Sequence, residues 1–193
     1  VAYVNGLSNP AGYSDGTLQP LEAFWVYANQ EGPLSVNDSI LNDHTETAPS
    51  TRNLQELISI RLQLSDENAL YQSLIILDDQ AQYGFDPELD AWHLPVPPVG
   101  KTQSPGLFSL DSSGNHLAIN TLPKGNRLRI SLGFTLDYAG NHNIQLLESN
   151  GIQSPLYLID KGTRKSTLLT TNAYAFNAPS GTITERFILT NTR

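Results

Sequence analysis

Leu156-Tyr157-Leu158-Ile159-Asp160-Lys161-Gly162 opens a stretch that closes with Glu185-Arg186-Phe187-Ile188-Leu189-Thr190, and the punctuation between these two runs decides the fold. The apolar run at 156–159 stops at the turn Asp160-Lys161-Gly162. A second run, 166–176, is interrupted near Thr171-Asn172, and Pro179-Ser180-Gly181 introduces a third at 184–190. Short apolar runs between turn clusters, with no recurrence at intervals of three and four, predict consecutive β-strands.

The same period extends upstream. In Ile58-Ser59-Ile60-Arg61-Leu62-Gln63-Leu64 the aliphatic residues face one way, and Ser59, Arg61 and Gln63 are expected on a wet face. Leu128, Ile130, Leu132 and Phe134 repeat the pattern with Arg129 and Ser131 outward, whereas Leu74-Ile75-Ile76-Leu77 is apolar on both faces and belongs in the middle of a covered sheet. Further strands are expected at 22–28, 34–37, 106–111, 117–120 and 143–147, with Asp111-Ser112-Ser113-Gly114-Asn115 as a hairpin turn. The polar stretch around Pro49 reads as a linker at 43–53 between an N-terminal β portion, 1–42, and a main domain, 54–193. The run Pro95-Val96-Pro97-Pro98-Val99-Gly100 is extended and carries the chain between edges. This pattern predicts an all-β fold, a β-sandwich of the jelly-roll or immunoglobulin-like kind with two possible sub-domains; a closed barrel is the rival.

Composition narrows the function. The 193 residues carry 11 Lys plus Arg against 19 Asp plus Glu, a net charge of -8, so the average field repels phosphate backbones and nucleic acid is not an expected partner. There is no Cys and no Met, which removes thiol chemistry and Cys-based zinc sites. The start at Val1 without Met reads as a processed end. No apolar stretch approaches the roughly 20 residues of a membrane helix, so membrane insertion is not expected.

Few residues suggest chemistry. Asp78, Asp86 and Asp90, with Asp79 and Glu88 nearby, could supply oxygen ligands to a structural calcium ion. Their spacing matches no EF-hand, and the plainer reading is a solvated turn whose carboxylates accept backbone amides. A glycosidase pair of carboxylates would need a separation across a cleft that the sequence does not indicate. His44, His93, His116 and His142 lack zinc spacing and read as isolated surface or turn residues. Trp25 and Trp92 are the candidates for a sugar-stacking platform, with Tyr27, Tyr83 and Tyr138 as further exposed-ring candidates. Phe24, Trp25, Val26 and Tyr27 alternate along one strand, so one pair must face a core or an interface.

Taken together, several segments resemble a family. Leu18-Gln19-Pro20-Leu21-Glu22-Ala23-Phe24-Trp25-Val26 is similar to the I-x-P-x-Q-A-F-F-V element of large secreted Bacteroidetes proteins exported by the type IX system. The resemblance continues through Gly84-Phe85-Asp86-Pro87-Glu88-Leu89-Asp90-Ala91, Leu117-Ala118-Ile119-Asn120-Thr121-Leu122-Pro123 and Leu156-Tyr157-Leu158-Ile159-Asp160, and ends with Tyr174-Ala175-Phe176 and Glu185-Arg186-Phe187-Ile188-Leu189. It implies the β-rich region upstream of a C-terminal sorting domain, in an extracellular or cell-surface setting, and carries no catalytic motif. It also implies a beginning that lacks one strand, leaving the 22–28 strand as an open edge at Phe24, Trp25, Val26 and Tyr27 for another polypeptide. The expected function is a non-catalytic module for cell-surface adhesion, display or assembly, with a fibre joined through complemented edge strands as one form. The alternative is a carbohydrate-binding module of a secreted polysaccharide-degrading enzyme, with polysaccharide as partner. No cofactor beyond the structural calcium is expected.

Overall fold

A computed structural model describes residues 2–4, 7–9, 31, 57–66, 69–94, 105–170 and 172–192. The expected strands at 22–28 and 34–37, the linker at 43–53, the proline run at 95–100, and Phe24, Trp25, Val26 and Tyr27 lie outside these residues. A short antiparallel hairpin, β1 (Ala2–Val4) and β2 (Leu7–Asn9), comes first. There follow β3 (Ile58–Ser65), β4 (Leu70–Asp78), β5 (Ala91–Trp92), β6 (Gly106–Leu110), β7 (His116–Pro123), β8 (Arg129–Leu136), β9 (Gly140–Asn150), β10 (Tyr157–Asp160), β11 (Lys165–Leu168), β12 (Tyr174–Ala178) and β13 (Gly181–Thr190).

β3 to β13 form a single 11-stranded mixed sheet in the order β11-β10-β13-β8-β6-β7-β4-β3-β9-β12, with β5 paired to β7. Among the described strands only β4 and β7 run parallel. The sheet curls until it is nearly barrel-shaped, a sandwich-like all-β fold. One apolar cluster fills its inside, drawing Ile60, Leu62 and Leu64 from β3, Leu132 and Phe134 from β8, Ile144 from β9, Leu158 from β10, Phe176 from β12 and Phe187 and Leu189 from β13.

β4 is central, as its unbroken apolar run requires: Ile75 and Leu77 join the inner cluster, while Leu74 and Ile76 pack with Ile119 on the other face. On β8, Arg129 and Ser131 point to solvent between buried neighbours, in keeping with the alternation. β3 departs from it. Ser59, Arg61 and Gln63 are buried, at 4%, 4% and 8% exposure. Alternation reports which side chains oppose each other, not whether the second face is open, and here both faces are covered. The buried Arg61 guanidinium is neutralised at 2.7 Å by Glu148 of the neighbouring β9.

The interrupted run at 166–176 also resolves differently from the expectation of one strand. Its halves are β11 and β12, which occupy opposite ends of the strand order. The chain therefore changes edge between Leu168 and Tyr174. Its backbone bonds in both directions, Leu169 N–H to the Leu156 carbonyl (2.8 Å) and Leu146 N–H to the Thr170 carbonyl (3.3 Å), so the two ends of the sheet are brought together.

Gly133 lies inside β8. A β-carbon there would stand 2.2 Å from the Phe108 ring, so Phe108, paired opposite it on β6, lies flat across the place where a side chain would be. Glycine inside a strand commonly marks such a close approach. We expect Gly133→Ala to destabilise the fold by about 1–3 kcal/mol, because the fully buried Phe108 has nowhere to move. Urea unfolding checks this, with the exposed neighbour Ser131→Ala expected to stay within about 0.5 kcal/mol of the parent.

Candidate functional site

The polar groups among the described residues include those spent on closing the fold and those that gather around a groove. The first kind centres on Asp160, the last residue of β10, which is 1% exposed. Its carboxylate accepts Arg186 Nε–H (3.1 Å) and Nη2–H (2.9 Å) as a two-pronged pair, the Tyr174 hydroxyl (2.9 Å) and the Gly162 amide (2.8 Å). Arg186 also donates to the Asn177 carbonyl of β12 at 2.7 Å. One guanidinium thus ties β10 and β13 at one end of the sheet to β12 at the other. Its cation lies 4.9 Å from the Phe176 ring centre and 5.1 Å from that of Phe187.

A bulge makes this reach possible. The β13–β8 register passes from Ile183 opposite Phe134 directly to Phe187 opposite Leu132, so residues 184–186 stand against Gly133 alone. Extra residues bend a strand and re-aim its side chains. Burial opposes ionisation of Asp160, but the Arg186 charge and the hydrogen bonds from Arg186, Tyr174 and Gly162 outweigh it and bring its pKa down to about 2.

Asp90 is held differently. Its two oxygens accept the backbone amides of Thr121 (2.6 Å) and Asp86 (2.7 Å), clamping the loop of residues 86–90 against β7. Burial is the main influence and exceeds the help of these amides, so the pKa rises to about 6. Asp86 accepts the Glu88 amide and Asp78 the Gln80 amide, both at 2.9 Å. The three carboxylates considered for calcium therefore each stabilise a turn, and among the described residues no three His, Cys, Asp or Glu side chains group around a possible ion.

The groove crosses the outer face of β8. It has a volume of about 510 Å³ and is lined by Asp111, Ser112 and Gly114 of the β6–β7 turn, Leu110, His116, Ser131, Lys161, and Thr184 and Glu185 of the β13 bulge. Asp111 is inward-turned, its oxygens taken by the Ser113 and Asn115 amides and the Asn115 side chain, each at 2.8 Å. The opposite edge is formed by Lys161, whose amide donates to the Arg186 carbonyl at 2.9 Å.

His116 stacks on Phe108 with ring centres 4.0 Å apart and 16° between planes, and His93 stacks on Phe108 at 5.0 Å and 24°. Residues distant in sequence are thereby joined, so His93 and His116 are parts of one column. Burial draws His116 below the usual imidazole range. His142, in contrast, is 1% exposed on β9 between the rings of Tyr138 and Phe176, which corrects the expectation of a surface or turn histidine. Alternation placed it on the inner face with Ile144, a position the short strand expected at 143–147 did not include.

Of the candidate platform residues, Trp92 is partly buried and tilts against Phe85 at 4.6 Å; Trp25 lies outside the described residues. Tyr83 is 66% exposed and Tyr138 38% exposed. The groove itself was missed. The available signal was Gly133, a glycine inside a strongly alternating strand.

Comparison with protein-family models, curated proteins and solved structures returned no match.

Asp160 and Asp90 predict opposite pH dependences. Asp160 has a folded pKa below its unfolded value, so its contribution of about 2 kcal/mol is complete above pH ~4 and is lost as pH falls toward 2. Asp90 has a raised folded pKa, so its contribution is complete below pH ~4 and is lost as pH rises through 6. Urea midpoints measured against pH should show both limbs. Asp90→Asn should remove the slope between pH 4 and 6 while costing about 1–3 kcal/mol for the amide left without an acceptor. Asp160→Ala should cost about 3–5 kcal/mol, since Arg186 stays partly buried without its counter-charge, and Tyr174→Phe about 1.5 kcal/mol.

Proposed function

We propose that the chain is a non-catalytic structural module of a secreted, cell-surface protein, serving adhesion, display or assembly. The observation that supports this most is the use made of buried and partly buried charge. Asp160, Arg186, Asp90 and Arg61 are each engaged in joining one strand or loop to another, a use that favours a durable scaffold.

Export by the type IX route rests on the sequence resemblance, whose closing motifs include three residues of the polar seam that joins the sheet ends: Asp160, Tyr174 and Arg186. Assembly is supported by β11, an end strand that among the described strands pairs only with β10 and leaves Leu168 49% exposed. An end strand offers backbone groups to another chain.

Antibody labelling of intact producing cells tests the reading. We expect surface label that is lost on external protease treatment. Label that appears only after lysis would overturn it.

A further inference from the structure

We propose that the groove across β8 binds a neutral hexose unit of a glycan, giving the adhesive module a ligand. It rests on the preceding reading only for its biological setting, since the argument for the ligand comes from the groove.

The volume of about 510 Å³ falls within the range of small-molecule sites, roughly 300–1,000 Å³. Its wall chemistry selects the ligand class. Ser112, Ser131 and Thr184 are among its lining residues and carry hydroxyls, which both donate and accept. Lys161 brings one cation against the carboxylates of Glu185 and Asp111, the latter with its oxygens held by its own turn, so the lining disfavours an anion. A neutral polyhydroxyl ligand can satisfy such a mixed set of donors and acceptors; an anion such as phosphate would meet Glu185, and an apolar ligand would leave the hydroxyls without partners.

Two further features belong to the groove. At the bulge, Thr184 and Glu185 have no counterpart on β8 other than Gly133, so this stretch of β13 departs from the ladder and borders the groove. His116 belongs to the wall, its ring held by its stack on Phe108, which itself rests in the space left by Gly133. Sugar rings present C–H faces that pack on such planes, while their hydroxyls reach the polar rim. The bulge thus borders the groove, and the glycine acts on it only through Phe108 and the stacked His116.

Amide chemical-shift titration with cellohexaose, laminarihexaose and mannohexaose tests this, with oligogalacturonate and inorganic phosphate as charged probes. We expect saturable shifts at Ser112, Gly114, Thr184 and Glu185 with at least one neutral hexasaccharide. The double variant Ser131→Ala, Thr184→Val should weaken that binding about tenfold by removing two hydroxyls, with its melting temperature close to the parent's. Saturable shifts with the charged probes alone, shifts centred on Phe85 and Trp92, or no shift with any of the five would each overturn the proposal. Loss of surface label would sink the module's setting and leave the titration result standing, so the two readings fail separately.

Discussion

The buried carboxylate of Asp160 is the constraint on which the closure of this fold depends. A curled sheet has two ends, and unless they are drawn together the inner core stays open to water. Beside the backbone bonds at Leu169 and Thr170, side chains draw the ends together here: Arg186 bonds Asp160 on β10 and the Asn177 carbonyl on β12, and Tyr174 reaches from β12 to the same carboxylate. A buried acid alone would be costly. With a two-pronged guanidinium, a hydroxyl and an amide around it, the charge becomes the favoured state.

That closure requires a local defect elsewhere. The ladder between β13 and β8 loses its regular register at 184–186, and Gly133 is the single residue opposite. Without the bulge, strict alternation would send Arg186 and Phe187 to opposite faces at a regular spacing, with no latitude to bring the guanidinium onto Asp160 while Phe187 enters the core. The aromatic cluster of Phe134, Phe176 and Phe187, with ring centres 4.9–5.6 Å apart, is the apolar counterpart of the polar seam. Seam, bulge and groove are therefore neighbours for one reason: the chain departs from the ladder at one place, and three features use the departure.

Much of the strand pattern was legible. Period-two runs located β3 and β8, an unbroken apolar run located β4, and β6 and β7 were legible on either side of the Asp111 to Asn115 turn, which was evident from its Gly and Asn. The burial of Arg61 was not legible, because alternation separates two faces without saying what covers the second. The split of 166–176 into strands at opposite ends of the sheet was equally hidden, since a break near Thr171-Asn172 looks the same whether the chain resumes beside its former partner or crosses to another edge. For the groove, the individual residues Ser112, His116, Ser131 and Thr184 look like ordinary surface positions, and only their convergence distinguishes them.

By itself, the sequence determined the class of fold, the positions of many strands and the central place of Leu74 to Leu77, because side-chain period and turn chemistry are local properties read over a few residues. Tertiary structure alone decided which strands are neighbours, which charges are buried and which polar side chains share a groove. Those depend on pairings between residues far apart, such as Asp160 with Arg186 or Phe108 with Gly133, and no local pattern encodes the partner.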